Sequence, residues 1–297
     1  MPTYAFVTLD VFTDTRFGGN PLAVFPDARG MSDAQMQALA AEFNLSETTF
    51  VLPPADPANT ARVRIFNRTA EMPFAGHPNV GTGFVLAGQG RDLAGLLRFE
   101  EIAGLVTVRV ARDLAGGLTG AVIDAPRPLV LGPELAAAQV AACASLAPGD
   151  VVTTAHAPVQ ASLGVDFFFA EVTPEALGRA APDVAGFQRT SAETDAGSDR
   201  LSLFLYAPQA DGVTIRARMF APLSGTFEDA ATGSASATLG ALLLSLNRED
   251  EARFEIVQGV EMGRPSRLSV IARRAADGVR ANVGGGCVPV FSGEVTL

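Results

Sequence analysis

Alternating apolar and polar positions predict a chain that is built mostly of strands. The first strand is predicted at 4–12, and an apolar run at 22–25 follows the turn signal Gly18-Gly19-Asn20-Pro21. Further strands are predicted at 48–52, 61–67, 96–101, 105–112, 121–124, 167–172, 201–207, 213–221, 253–258, 267–273 and 280–291. Helices are predicted after the capping-box sequence Ser32-Asp33-Ala34-Gln35 and at 133–146 and 174–181. This pattern indicates an α+β chain built on mixed or antiparallel sheet.

An internal repeat organises the sequence. In the first copy Arg64-Ile65-Phe66 precedes Glu71, and five residues after this glutamate Gly76-His77 precedes an apolar helix predicted at 79–87. In the second copy Arg218-Met219-Phe220 precedes Glu228, and Gly233-Ser234 precedes a helix predicted at 236–246. Both helices are apolar on nearly every face, so we expect each to be buried within its own sheet.

The repeat predicts two pseudo-symmetric halves with both helix N-termini at one cleft. We expect an N-terminal half over 1–118 with 283–297, which contains Glu47, and a C-terminal half over 119–282. Unpaired N–H groups and a partial positive charge at a helix N-terminus suit a carboxylate ligand. A duplicated scaffold without function is the alternative explanation of the repeat.

Composition excludes several classes of function. The net charge is −10, which argues against nucleic acids and anionic membranes as partners. All 22 basic residues are arginine, so a lysine Schiff base and a lysine-bearing phosphate loop are impossible. Because the chain has only two histidines and two cysteines, a zinc site would also need carboxylate ligands. The distant cysteines and the absence of a signal-peptide pattern favour a cytoplasmic protein.

Several blocks of sequence resemble the PhzF-like family of phenazine biosynthesis. They are Gly19-Asn20-Pro21, Asn44-Leu45-Ser46-Glu47-Thr48, Pro73-Phe74-Ala75-Gly76-His77-Pro78, Glu228-Asp229-Ala230-Ala231-Thr232-Gly233-Ser234, Gln258-Gly259 and Val283-Gly284-Gly285. Each block is weak alone, but their order along most of the chain is specific. The resemblance implies the diaminopimelate-epimerase fold, in which each half is a mixed or antiparallel sheet rolled around a central apolar helix.

The family also implies roles for particular residues. Glu47 corresponds to the acid/base, and the substrate site corresponds to His77, Asp229, Ser234 and the backbone N–H groups of Gly76 and Gly233. The resemblance further implies a homodimer, no cofactor, no metal and a small carboxylate substrate.

Each of these residues has a structural interpretation as well. From spacing alone, Glu47 is interpreted as a surface glutamate at the start of a strand. Acid/base catalysis would instead need partial burial of Glu47, which raises the pKa of its carboxyl group. His77 is either a helix cap or a neutral hydrogen-bond donor, because the helix dipole disfavours a cation there. Asp229 with Thr232 is a possible cap of the second helix, and Ser234 is a common residue type at helix starts. For Glu71 and Glu228 we favour a role in structural hydrogen bonding over a role as a pair of catalytic carboxylates.

One departure from the related epimerases bears on the reaction. Those enzymes carry a proton-transferring residue, usually cysteine, immediately before each of the two glycines, and here these positions are Ala75 and Thr232. Alanine has no proton to transfer, so inversion by two bases is disfavoured. The sequence instead predicts an isomerase in which one glutamate moves a proton between two carbons, as in the trans-2,3-dihydro-3-hydroxyanthranilate isomerases. An epimerase or racemase, and a non-catalytic binding protein on the same scaffold, remain the alternatives.

Overall fold

The computed structural model describes residues 1–194 and 201–297, which form two compact units. The first unit comprises 1–126 with 283–297, and the second comprises 127–282. The division expected from the sequence was 1–118 with 283–297 and 119–282. Mixed sheet dominates both units, as the alternating sequence pattern predicts.

The first unit contains eight strands and two helices before the chain enters the second unit. They are β1 (Thr3–Val11), β2 (Asn20–Phe25), α1 (Asp33–Phe43), β3 (Glu47–Leu52), β4 (Ala61–Phe66), β5 (Glu71–Met72), α2 (Gly76–Gly88), β6 (Leu96–Glu101), β7 (Gly104–Arg112) and β8 (Leu118–Asp124). Ser32 caps α1 through the predicted capping box with Gln35. Asn44, in the left-handed region with φ 51°, ends that helix.

The second unit begins at residue 127. Its elements are β9 (Val130–Glu134), α3 (Ala137–Ala144), β10 (Val151–Val152), β11 (Val159–Ser162), β12 (Asp166–Val172), α4 (Pro174–Arg179), α5 (Val184–Glu193), β13 (Leu203–Pro208), β14 (Thr214–Ala221), β15 (Thr226–Asp229), α6 (Gly233–Ser245), β16 (Glu251–Gln258) and β17 (Ser266–Ala275). The last strand, β18 (Gly278–Thr296), starts in the second unit and continues into the first.

The sheet of the first unit closes on itself. β2 pairs in parallel with β3, β3 antiparallel with β4, β4 in parallel with β6, and β6 antiparallel with β7. The antiparallel pair of β7 and β8 extends this order, and β18 pairs with both β8 and β1. Since β1 also pairs with β2, no strand of this ring is left as an open edge, which removes a route to edge-to-edge aggregation.

The second unit has the same sequence of pairing directions along part of its sheet. β12 pairs in parallel with β13, β13 antiparallel with β14, β14 in parallel with β16, and β16 antiparallel with β17. As in the first unit, a short strand and then a helix lie in the chain between the two members of the second parallel pair.

Helices α2 and α6 are almost wholly buried and lie very close to neighbouring strands. α2 packs on β1, β2, β7 and β8, and α6 packs on β11, β16 and β17. Glycine permits this approach: a Cβ on Gly83 would lie 2.6 Å from Cγ1 of Val108, and one on Gly240 would lie 2.5 Å from Cγ1 of Val270. Gly83 and Gly240, which lie seven residues after Gly76 and Gly233, therefore allow equivalent close contacts in their own units.

The structure corrects three element predictions. The helix predicted at 133–146 is shorter, because Val130–Glu134 forms β9 and pairs with β11, and α3 begins only at Ala137. Helix α5 was not predicted, although Asp183 caps it. Both apolar helices begin three residues before their predicted starts, so Gly76 and Gly233 are their first residues.

Adding a methyl group at the two close-contact glycines should destabilise the fold. Alanine ordinarily favours a helix over glycine by about 0.5–1 kcal/mol. Overpacking at Gly83→Ala or Gly240→Ala should outweigh that gain and cost about 1–3 kcal/mol of unfolding free energy. Urea unfolding followed by circular dichroism measures the difference.

Gly88→Ala is the matched control in the same helix as Gly83. Its added Cβ would meet nothing closer than Cδ2 of Leu118 at 3.8 Å, an ordinary contact. Wild-type stability in Gly83→Ala would contradict the close packing described here.

Candidate active site

Glu47 is the first residue of β3, at the point where that strand starts beside β2. The parallel register places Glu47 opposite Leu22. Its side chain is only 18% exposed, so it is not the surface glutamate that spacing alone suggested. A carboxylate that is shielded to this degree but still reached by solvent is suited to exchanging protons with a bound molecule.

His77 is the second residue of α2 and faces the Glu47 carboxylate. Its Nε2 lies 3.4 Å from Oε2 of Glu47, and its side chain is 5% exposed. Burial lowers the pKa of His77 to about 3, although a hydrogen bond with the Pro21 carbonyl acts in the opposite direction. The imidazole is therefore neutral at physiological pH, so the contact between the two side chains is not an ion pair.

Asn20 and Ser46 support this pair of side chains. Nδ2 of Asn20 lies 3.5 Å from Nδ1 of His77, and the Ser46 hydroxyl donates a 3.0 Å hydrogen bond to Oδ1 of Asn20. Asn20 is 2% exposed. The sequence analysis named neither residue as functional, although both stand in the blocks that carried the family resemblance. They link the start of β2, the start of β3 and the start of α2.

The start of α2 supplies backbone donors beside His77. Gly76 is the first helical residue, and the preceding Ala75 is extended and has no side chain with which to cap the helix. The first N–H groups of a helix have no partner within the helix, and they attract anions. Because no side-chain cap competes at Ala75, the Gly76 end of α2 is suited to a carboxylate.

In the second unit, Asp229 is the last residue of β15 and is hydrogen-bonded to the loop that precedes α6. The Thr232 hydroxyl donates a 2.7 Å hydrogen bond to Oδ2 of Asp229. Thr232 stands at the N-cap position, but its side chain makes no capping hydrogen bond to the helix. The Thr232 side chain therefore bonds to Asp229 and does not cap α6.

Gln258 holds the same loop and was not singled out as a site residue. It is fully buried, and its Nε2 donates to the Asp229 carbonyl at 2.8 Å and to the Thr232 hydroxyl at 3.1 Å. Its Oε1 accepts the Thr232 backbone N–H at 3.0 Å. The neighbouring Gly259, with φ 74°, has no room for a Cβ, which would lie 2.6 Å from the Ala230 carbonyl oxygen. The Gln258-Gly259 block was the sequence signal for this role.

Gly233 and Ser234 are the first two residues of α6. Gly233 is buried and Ser234 is half-buried, and the Ser234 carbonyl accepts a 2.8 Å hydrogen bond from the Thr238 hydroxyl. The predicted site residues thus fall into two groups. Glu47, Gly76 and His77 belong to the first unit, and Asp229, Gly233 and Ser234 belong to the second.

The two repeated glutamates have structural roles, as the sequence analysis favoured. Arg64 makes two hydrogen bonds to Glu71, at 2.7 and 2.6 Å, and Arg218 makes two to Glu228, both at 2.8 Å. Each guanidinium also lies 5.0 Å from the ring centroid of a phenylalanine two residues later in its strand. A glutamate paired in this way is not available as a catalytic base.

His156, whose role was left open, contacts Tyr206 and the Ala157 backbone. Its Nε2 is 2.6 Å from the Tyr206 hydroxyl, and its Nδ1 is 2.6 Å from the Ala157 carbonyl.

Both cysteines are buried. Across 1–194 and 201–297, no group of three or more His, Cys, Asp or Glu side chains has the arrangement of a metal site. No helix in this part of the chain has the length and apolarity needed to span a membrane.

Comparisons with known proteins assign the chain to a family. The model of the phenazine biosynthesis-like protein family (PhzC-PhzF) matches residues 9–293. A protein of Mesorhizobium japonicum that is named an uncharacterised isomerase is 35% identical over the full length of both chains. The trans-2,3-dihydro-3-hydroxyanthranilate isomerase of Pseudomonas chlororaphis is 33% identical over 98% of this chain and 99% of its own.

A solved structure shows the same fold. The PhzF-family protein of Bacillus anthracis superposes with a TM-score of 0.87 over 100% of both chains, at 23% sequence identity. The chain belongs to the phenazine biosynthesis-like (PhzC-PhzF) family and is an isomerase.

Proposed function

We propose that this protein is a cofactor-independent isomerase in which Glu47 alone moves a proton on a small carboxylate substrate. The observation that carries the proposal is the contact between the largely buried Glu47 carboxylate and the neutral His77 imidazole, 3.4 Å apart. The substrate class is that of the related enzymes, and trans-2,3-dihydro-3-hydroxyanthranilate is the compound to test first.

In the proposed reaction Glu47 acts first as a base and then as an acid. The carboxylate takes a proton from one carbon of the substrate, and the electron pair of the broken C–H bond moves into the conjugated system. The resulting carboxylic acid returns the proton to a second carbon of the same system, on the same face. No atom is gained or lost, and the double bonds shift position, as in a 1,3- or 1,5-type proton shift.

His77 is suited to assist as a neutral group. A cationic imidazole would stabilise the Glu47 carboxylate and weaken it as a base, whereas a neutral ring does so much less. Burial keeps the ring neutral across the physiological range. We assign His77 to substrate binding beside Glu47.

The remaining predicted residues are assigned to substrate binding. Backbone N–H groups at Gly76 and Gly233 and the side chains of Asp229 and Ser234 are of the types that bind carboxylate, amino and hydroxyl groups. The Asp229 carboxylate is oriented by Thr232 at 2.7 Å, which supports a fixed hydrogen-bonding role.

The rival reaction, inversion of a stereocentre, is disfavoured by the residues before the two glycines. Ala75 has no ionisable group, and the Thr232 hydroxyl is already hydrogen-bonded to Asp229. Neither residue supplies a second acid or base. A single carboxylate returns a proton to the face from which it came, which favours isomerisation over epimerisation.

Other features stay predictions from the sequence. They are the pseudo-symmetry of two halves, each a sheet rolled around its apolar helix, and the homodimer. The cytoplasmic location, the small-molecule carboxylate partner and the lack of nucleic-acid or membrane partners also belong to this group.

Replacing the carboxylate of Glu47 should stop proton transfer. With trans-2,3-dihydro-3-hydroxyanthranilate in D2O, the wild type should place solvent deuterium in the product, as measured by mass spectrometry. Glu47→Gln should reduce both turnover and deuterium incorporation by about 10²–10⁴-fold, the usual contribution of a general acid/base. Binding of the unreacted substrate, measured by calorimetry, should change little.

Glu42→Gln, which removes an exposed carboxylate on α1, is the control and should keep wild-type turnover. Unchanged turnover in Glu47→Gln would overturn the assignment of Glu47. Net change in optical rotation of proline or diaminopimelate would instead favour the epimerase.

The neutral, buried His77 should make stability fall in mild acid. Its pKa in the folded protein, about 3, lies below the unfolded value of 6.5, so the unfolded chain binds the extra proton between these pH values. Stability due to this group is complete above pH 6.5 and is lost as the pH falls toward 3. Relative to His77→Gln, the wild type should lose about 2 kcal/mol between pH 7 and pH 5, measured by urea unfolding. Parallel pH curves for the two proteins would contradict a buried neutral ring.

A further inference from the structure

Gln258, the last residue of β16, makes contacts whose directions are fixed atom by atom. Its Oε1 lies 3.0 Å from the Thr232 backbone nitrogen, and its Nε2 lies 2.8 Å from the Asp229 carbonyl oxygen. A backbone N–H can only donate and a carbonyl can only accept, so the amide has one allowed orientation. The side chain is fully buried, and an amide turned the other way would face both groups with the wrong atom.

The fixed amide sets the direction of a second hydrogen bond. Nε2 carries two hydrogens, and its other partner is Oγ1 of Thr232 at 3.1 Å. The hydroxyl therefore accepts from Gln258, and its single hydrogen donates to Oδ2 of Asp229 at 2.7 Å. Donors and acceptors alternate along the path from the Gln258 amide to the Asp229 carboxyl group. Oδ2 of Asp229 is thereby held as an acceptor.

The first unit has different residues at the corresponding places. Glu101 ends β6, which pairs in parallel with β4, and it stands 25 residues after Gly76. Gln258 ends β16, which pairs in parallel with β14, and it stands 25 residues after Gly233. The residue before the glycine is Ala75 in the first unit, so that place offers no hydroxyl. Of the two places, only the one in the second unit pairs an amide with a hydroxyl.

We propose that Gln258 is a positioning residue that acts through the Thr232 hydroxyl to fix the Asp229 carboxyl group as a hydrogen-bond acceptor for substrate binding. The inference rests on the proposed function only in assigning Asp229 to the substrate. A role limited to the backbone contacts of Gln258 would hold the segment 229–232 equally well without the hydroxyl. Substitutions at Thr232 and Gln258 separate these two roles.

Thr232→Val tests the hydroxyl and leaves the backbone contacts of Gln258 in place. It keeps the shape of the side chain but removes the donor to Asp229, whereas Thr232→Ser keeps that donor. With trans-2,3-dihydro-3-hydroxyanthranilate, Thr232→Val should raise KM about tenfold and change kcat by less than about threefold, because Asp229 binds the substrate and does not move the proton. Thr232→Ser should stay within about threefold of the wild-type KM.

Thr214→Val is the matched control for the loss of a hydroxyl. The Thr214 hydroxyl also donates a 2.7 Å hydrogen bond to a carboxylate, Oδ2 of Asp211, in the turn before β14. The substitution therefore removes the same kind of bond from the same unit. It should keep the wild-type KM.

Gln258→Glu tests the amide. It keeps an acceptor for the Thr232 N–H but, as a carboxylate, has no donor, so the Thr232 hydroxyl would lie between two acceptors and could satisfy only one. KM should again rise about tenfold. Gln209→Glu is the control, because the Gln209 amide donates only to the Ala207 carbonyl among the contacts of its side chain, at 3.1 Å, and it should keep the wild-type KM.

The double variant shows whether both residues act through one hydroxyl. Gln258→Glu combined with Thr232→Val should raise KM no more than the larger of the two single effects, since the second substitution removes a bond that is already lost. Increases in KM that multiply would mean that the two side chains act independently.

Unfolding in urea gives a readout that needs no substrate. In the wild-type background Thr232→Val leaves a buried N–H of Gln258 unpaired, so the unfolding constant should rise about tenfold. In the Gln258→Met background that donor is absent, and the same substitution should raise the constant only about threefold. A role limited to the backbone contacts predicts equal factors in the two backgrounds.

The outcomes distinguish this inference from the proposed function. Wild-type KM in Thr232→Val or Gln258→Glu, a Thr232→Ser variant as impaired as Thr232→Val, increases in KM that multiply, or equal unfolding factors in the two backgrounds would each overturn it. If Gln258→Glu does not fold, Gln258→Met takes its place in the KM measurements. Lack of turnover with the dihydrohydroxyanthranilate would contradict the proposed function, and the unfolding factors would then decide the inference alone.

Discussion

The close packing of two glycine-containing helices against their strands is the constraint on which the candidate site depends. Gly83 and Gly240 remove the atoms that would keep α2 and α6 further from Val108 and Val270. Because the helices lie so close, their first turns are buried along with their middles, and Gly76, His77 and Gly233 are all shielded. Burial in turn decides the chemistry at these positions, since it removes the water that would otherwise stabilise charge.

The buried polar groups of the first unit are accommodated in two different ways. The Arg64 guanidinium makes two hydrogen bonds to Glu71 and lies over a phenylalanine face, and these contacts compensate for lost hydration. For His77, burial instead lowers the pKa and keeps the imidazole neutral. Neutral groups at the start of α2 leave the Glu47 carboxylate as the ionisable group beside His77.

The supporting residues explain how flexible side chains are held in place. Asn20 and Ser46 join three elements at the Glu47–His77 pair, and Gln258 makes three hydrogen bonds to the loop that contains Asp229. Each of these networks is local to one unit, so the candidate residues of each unit are held by that unit's own sheet and helix. A network of this kind reduces the motion of its side chains and so lowers the ordering cost of binding a substrate.

The sequence alone determined the strand-rich class and the repeated Gly-polar helix starts, and its motifs made Glu47 the candidate acid/base, because periodicity, turn residues and short motifs are local properties. It also indicated structural roles for Glu71 and Glu228. It misjudged β9, α5 and the first turns of α2 and α6, where tertiary pairing and burial outweigh local preference. Only the tertiary structure decided that Glu47 is shielded, that His77 lies beside it, and that burial is the cause of the neutral imidazole. These properties depend on how much water reaches each group, and that is set by residues distant in the chain.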